Sequence, residues 1–189
     1  MLKTPASPQA DSGVLATWEA DWSIVNVRGN PADPAFVDAV SQALGQAWPL
    51  AACSSSLSPE LQVLWAGPDD WFVLSRRHTP EALVDTLRSA LAGQHAAVTD
   101  VSSGYTRLTL SGPRVRELLA QGCPLDLHPR QFPLGQSAGS VFFKASVWLW
   151  SLDDAPTYAL LVRSSFQGYV RLMLQQCTAE SGCVEQGLA

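Results

Sequence analysis

The stretch LQVLWAGPDDWFVLS, residues 61–75, sets the architecture. Two apolar runs rich in aromatic and branched residues flank Gly67-Pro68-Asp69-Asp70, a cluster that favours chain reversal, so the stretch reads as a β-hairpin. Before it, SIVNVRG (23–29) reads as a strand closed by a glycine. Asp33-Pro34 then caps and opens a helix whose Phe36, Val37, Val40 and Leu44 share one face before Gly45 ends it. After the hairpin, Thr79-Pro80-Glu81 starts a second helix, with Leu83, Val84, Leu87 and Leu91 on its buried side as far as Gly93. The first half is therefore β-α-β-β-α.

The second half repeats this order. A link strand AAVTDVS (96–102) leads to TRLTLSG (106–112), and Gly112-Pro113 opens a short helix with Val115, Leu118 and Leu119 inward. A proline-rich loop precedes SVFFK (140–144), VWLWS (147–151), a turn at Asp153-Asp154 and the partner strand TYALLVR (157–163). The last helix starts near Ser164-Ser165 and buries Phe166, Tyr169, Val170, Met173 and Leu174. Gly29 and Gly112 lie 83 residues apart, Asp69 and Asp153 84, Leu87 and Val170 83. A shared offset across a strand end, a turn and a helix face points to an internal duplication. Neither half covers its own apolar face, so the two are expected to join into a common, mainly antiparallel sheet with helices outside. The expected class is α+β: pseudo-repeats at about 20–93 and 96–177 within a single domain spanning 14–189, preceded by a flexible N-terminus at 1–13.

Composition narrows the function. The net charge is −5 and Arg76-Arg77 is the only adjacent pair of cations, so neither nucleic acid nor an anionic membrane finds a basic stripe. No run approaches the roughly 18–20 apolar residues of a membrane span. Cys53, Cys123, Cys177 and Cys183 are scattered without a C-x-x-C, which fits a reducing, cytoplasmic setting. Only 15% of residues are charged, against about 25% in an average domain. Either another protein covers part of the surface, or Ser, Thr and Gln supply the missing polarity.

Reactive side chains concentrate in GCPLDLHPRQFPLGQSAG, residues 122–139. Gly135-Gln136-Ser137-Ala138-Gly139 has the G-x-S-x-G spelling of a nucleophile elbow, but it runs from a loop into a strand, and His78, His95 and His128 all precede Ser137, the wrong order for that triad. Cys123, Asp126 and His128 are three potential metal ligands on a loop steered by Pro124 and Pro129, without a natural fourth. Arg130 would have to lower the Cys123 thiol for it to become a nucleophile. The structural alternative buries Cys123, makes Asp126 a turn acceptor and leaves His128 held by Pro129. Asp69-Asp70 and Asp153-Asp154 sit at hairpin turns, where aspartate is favoured for turn chemistry. No G-x-G-x-x-G follows a strand and no G-x-x-x-x-G-K-[ST] occurs, so the usual phosphate cradles are missing. No catalytic, cofactor-binding or metal residue is assigned. Along VWLWS, Trp148 and Trp150 face one way and Val147 and Leu149 the other. The Trp pair is a contact surface for a partner or an inner sheet face.

The run DVSSGYTRLTLSGPRVRELLAQGCPLDLHPRQFPLGQSAGSVFFKASVWLWSLDDAPTYALLVRSSF, from residue 100 on, resembles the γ subunits of heterotetrameric sarcosine oxidase. The specific pieces are the strand–SGP–helix unit ending in GCPLDLHP, the F-P-x-G step, and DDAPT-Y followed by VR-S-F; likeness is weaker from Trp22 to Ser75. That family is similar to the folate-binding part of the glycine-cleavage aminomethyltransferase. The resemblance implies a non-catalytic subunit of a cytoplasmic complex that oxidatively demethylates sarcosine to glycine, giving hydrogen peroxide and a one-carbon unit. It also implies α, β and δ partners, with FAD, FMN, NAD and tetrahydrofolate on the larger chains and zinc on δ. Many relatives read D-x-S-H-G where this chain has Asp100-Val101-Ser102-Ser103-Gly104, so Ser103 replaces a histidine. Asp126, His128, Arg130, Phe132, Trp148 and Trp150 are candidates for the partner interface. The alternative is a stand-alone folate-binding or aminomethyltransferase-like protein.

Overall fold

The computed structural model describes residues 13–178 and 183–186. The flexible N-terminus expected at 1–13 lies, apart from Gly13, outside the described residues. In chain order the first half contains β1 (Val14–Glu19), β2 (Ser23–Arg28), α1 (Pro34–Leu44), β3 (Ser55–Leu57), β4 (Leu61–Gly67), β5 (Asp70–Ser75) and α2 (Pro80–Ala90). The second contains β6 (Ala97–Asp100), a 3-10 turn (Ser102–Gly104), β7 (Tyr105–Ser111), α3 (Val115–Ala120), β8 (Ser137–Phe142), β9 (Ala145–Asp153), β10 (Thr157–Arg163), a 3-10 turn (Ser164–Phe166) leading into α4 (Gln167–Thr178), and β11 (Cys183–Gln186). Among the described residues, no helix is long and apolar enough to cross a membrane.

Local chemistry starts the helices where the sequence places them. Asp33 accepts from Ala35 N at 3.0 Å with Pro34 in the first turn, and Gly45 closes α1 in the left-handed region at φ 63°. Thr79 caps α2 through Ala82 N at 3.3 Å.

The halves do not share one common sheet. Two sheets stack instead, in the orders β11-β1-β7-β10-β9-β8 and β3-β4-β5-β2-β6. All pairs are antiparallel except β1 with β11. The alternation of the strands explains the stacking. Val147 and Leu149 face α3 and α4, whereas Trp148 and Trp150, with Ala159 and Leu161 of β10, face the other sheet, where Trp22, Ile24, Leu64, Phe72 and Leu74 meet them. A second helix-side core joins α1 and α2 to Val25, Val27, Val63, Trp71 and Val73. The result is a helix–sheet–sheet–helix sandwich of α+β class.

The duplication is real in the topology, with an exchange. Each sheet reads hairpin, then central strand, then a strand contributed by the other half: β1 pairs with β7, with β11 outside it, and β6 pairs with β2 as an edge. The offset also drifts. β2 ends at Arg28 and β7 at Ser111, 83 residues apart, whereas β5 starts at Asp70 and β10 at Thr157, and α2 at Pro80 and α4 at Gln167, 87 apart. The equivalent of Leu87 is therefore Leu174, not Val170, which matches Leu83. Four residues are about one helical turn, so the shift left the same face buried and was invisible to periodicity.

Each half drives an aromatic residue into its own helix-side core through a matching tripeptide: Trp48-Pro49-Leu50 and Phe132-Pro133-Leu134. Trp48 lies 5.2 Å from Trp71, and Phe132 lies 6.4 Å from Tyr158, the residue 87 positions after Trp71. Trp71 Nε1 donates to Pro49 O at 2.8 Å and Tyr158 Oη donates to Leu127 O at 3.1 Å. Downstream, the two tripeptides meet: Ser137 N donates to Cys53 O at 2.9 Å, Ser55 N donates to Gly135 O at 2.7 Å, and Ser54 bridges Gln136. Cys53 and Ser137 are 84 residues apart, like Trp48 and Phe132, so a local two-fold passes between them.

Candidate functional site

The 122–139 loop is tied down from inside. Cys123 N donates to Leu119 O at 2.8 Å, extending the end of α3, and Phe143 N donates to Gly122 O at 2.7 Å. A Cβ on Gly122 would lie 2.5 Å from the Phe143 ring, so the close approach requires glycine. Asp126 Oδ1 accepts from His128 N at 3.0 Å, and His128 Nδ1 accepts from Arg130 N at 3.2 Å. The backbone N–H groups of Gln131 and Phe132 donate to His128 O at 2.8 and 2.9 Å. Both polar side chains thus hold the turn. Cys123 is buried with its Sγ 3.6 Å from Ser140 Oγ. Ser137 is also buried; its hydroxyl donates to Ser54 O at 2.9 Å. Among the described residues no three His, Cys, Asp or Glu side chains gather as a metal site would require.

Of the six interface candidates, Asp126, His128 and Arg130 are exposed, Trp148 is half-buried, and Phe132 and Trp150 are 4% and 0% exposed. Phe132 and Trp150 therefore act as internal packing. Phe132 sits against Tyr158, and Trp150 lies between the sheets, because a sandwich covers both faces of β9. Trp148 packs edge-on to Phe72 at 5.2 Å.

The polar centre of the molecule lies elsewhere, where the two halves cross into each other's sheet. Glu19, at the end of β1, accepts from Arg107, Arg76 and Thr109, and from Trp22 Nε1 at 2.8 Å. Arg76 Nε also pairs with Asp21 at 2.8 Å. Two guanidiniums lie over the Trp22 ring, Arg76 at 4.6 Å and Arg107 at 4.7 Å. The Arg107 side chain is only 4% exposed; burial pulls its pKa below the ordinary value, and the Glu19 charge opposes that shift. Two buried polar atoms here, Arg107 Nε and Gln62 Oε1, have no protein partner, and both residues line a cavity of about 670 Å³.

A neighbouring cavity of about 630 Å³ straddles the pseudo-two-fold. Its walls come in matched pairs: Trp22 and Tyr105 are 83 residues apart, as are Ser23 and Thr106 and Ala20 and Ser103. Arg163 lies 5.3 Å over Tyr105, as Arg76 lies over Trp22. Ser103 lines this cavity, and its carbonyl accepts from Ser164 Oγ at 2.9 Å. Ser102 Oγ donates to Asp100 and accepts from Ile24 N at 2.9 Å. The available signal for the Glu19–Arg107 cluster was one cation inside the apolar strand TRLTLS; its partner, 88 residues away, carried none.

Comparison with known proteins fits this geometry. Residues 28–180 match the model of the sarcosine oxidase, gamma subunit family. The chain is 34% identical over 123 residues to sarcosine oxidase subunit gamma of Corynebacterium sp. (strain U-96), covering 65% of this chain and 58% of that one. With the Arthrobacter sp. subunit gamma it shares 32% over 139 residues, 72% and 66% of the two chains. In sequence, the chain thus spans less than two thirds of the length of these relatives. In structure it superposes on a chain of heterotetrameric sarcosine oxidase from Corynebacterium sp. U-96, solved in complex with pyrrole 2-carboxylate, with a TM-score of 0.83, 27% identity, and coverage of 94% of this chain and 89% of the other. The glycine cleavage system aminomethyltransferase T from Bartonella henselae shares the fold, with a TM-score of 0.68 at 13% identity over 93% of this chain and 48% of that one. Duplicated sandwich, matched crossings and a family match over most of the chain converge: this protein belongs to the sarcosine oxidase gamma subunit family.

Proposed function

We propose that the chain is the γ subunit of a heterotetrameric sarcosine oxidase and that it supplies shape and contact area rather than reacting groups. The complex would demethylate sarcosine oxidatively to glycine, with hydrogen peroxide and a one-carbon unit as the other products. FAD, FMN, NAD and tetrahydrofolate would reside on the α and β partners and zinc on δ, all within the cytoplasm. The observation that carries this reading is the superposition over nearly the whole chain on a sarcosine oxidase chain, combined with the family match over 28–180. The chemistry of the loop supports it: Asp126, His128, Cys123 and Ser137 each hold a partner within the chain.

The test is co-expression with the other three subunits of the same oxidase. The expected result is a yellow four-chain complex that forms peroxide only when sarcosine is added, with His128→Ala leaving its kcat within about twofold of the parent complex, as expected of a surface change outside the chemistry. Collapse of kcat at unchanged assembly would contradict a purely structural subunit. The likeness to the aminomethyltransferase fold keeps one second reading open, a free-standing folate-binding protein. Micromolar tetrahydrofolate affinity of the isolated chain by calorimetry would favour it.

A further inference from the structure

The paired tripeptides do more than fill the core. Each buries its aromatic residue and then turns the following leucine outward: Leu50 is 49% exposed and Leu134 53%. Ala51, Ala52 and Cys53 after Leu50 are also exposed, as is Pro133 before Leu134. Four consecutive exposed apolar residues are unusual on a protein surface without a task. Each leucine is three residues from the Cys53–Ser137 crossing, so both lie within about 11 Å of it. The two segments are held on both sides, by the buried Trp48 and Phe132 upstream and by the crossing hydrogen bonds downstream.

The two stretches that carry these residues are also free of charge. Residues 39–59 and 131–143 contain no Asp, Glu, Lys, Arg or His, in a chain with 29 acidic and basic residues. The cavities of about 630 and 670 Å³ described above and the one of about 620 Å³ beside Gly29 are not lined by residues 46–56 or 131–139. No cation is available in either stretch to meet lipid headgroups. A charged protein surface pressed here would lose hydration without gaining a counter-charge. Interface cores are depleted of charge and built on preorganised apolar anchors, which is what this face offers.

We propose that Leu50, Ala51, Ala52, Cys53, Pro133 and Leu134 form the docking face for an uncharged, apolar surface on another subunit of the oxidase. This rests on the subunit reading above. The partner meets the chain around its local two-fold, where both halves contribute, so the face exists only in the duplicated protein.

The test co-expresses the chain with the other three sarcosine oxidase subunits and measures its incorporation by native mass spectrometry, alongside the thermal midpoint of the isolated chain. Leu50→Asp/Leu134→Asp should reduce incorporation at least tenfold, with the midpoint within about 2 °C of the parent, since both side chains are already half exposed. Leu172→Asp, equally exposed on α4, should incorporate normally. If the aspartates prevent folding, Leu50→Ser/Leu134→Ser should show the same loss. Normal incorporation of both pairs overturns the proposed face and leaves the subunit reading intact. Failure of the parent chain to incorporate defeats the subunit reading itself. A parent chain that dimerises alone, with a monomeric double variant that still enters the complex, would assign the face to self-association and overturn the proposal.

Discussion

At the residue scale, Glu19 holds the molecule's most demanding pairing. It compensates Arg107, which is buried between the sheets and flanked by Trp22 and Trp150. Removing one member of a buried pair leaves a bare charge, at a cost of about 3–5 kcal/mol, whereas replacing both by apolar residues is close to neutral. Glu19→Ala should therefore lower unfolding free energy in urea by that amount, and Glu19→Leu/Arg107→Met should recover most of it. Equal loss in both would show that packing, not charge, dominates the site. Ser137 makes a smaller claim. Its hydroxyl satisfies the Ser54 carbonyl, so Ser137→Ala should cost about 1 kcal/mol in stability and leave peroxide formation by the assembled complex unchanged. Abolished turnover would revive the nucleophile that the G-x-S-x-G spelling suggests.

At the scale of single elements, the legible parts were those whose cause is local. The α1 start depends on Asp33 and Pro34, and its end on Gly45, all within a few residues, so its bounds could be read directly. Asp33→Ala should destabilise the chain by about 1 kcal/mol in the same denaturation assay, and no measurable change would remove the cap from the account. β1, β3 and β11 were not recognised as strands. β1 finds its antiparallel partner β7 about 90 residues downstream and in the other half, so no nearby turn signal marks it, and β3, which pairs with β4 across Ser58-Pro59-Glu60, is only three residues long, too short to show an alternation. In the 122–139 loop Asp126 is a turn acceptor, a role its position next to the prolines allows, but Phe132, a candidate for the partner interface, is buried. Its burial depends on Tyr158, which only the folded sheet brings to it.

For the molecule as a whole, duplication was visible because equivalent turns and glycines keep nearly constant spacing. The stacking of two sheets was only half visible: apolar residues on both faces of β9 announced cover on each side, but not that the cover was the other half. The exchange of β1 and β6 has a consequence for cooperativity. A fragment spanning 14–94 would lack both β6 and β7, leaving its sheet without an edge and β1 without a mate. It should show no cooperative thermal transition by circular dichroism, while the full chain should unfold in one step. A folded 14–94 fragment would instead make the halves independent.

The central claim is that this chain lends surface to an assembly whose chemistry takes place on its neighbours. Native mass spectrometry of the four co-expressed subunits, paired with a sarcosine-dependent peroxide assay on the same fractions, addresses it most directly. One copy of this chain per active complex is the predicted result. An active oxidase lacking the chain, with the chain recovered alone and bound to tetrahydrofolate, would contradict it.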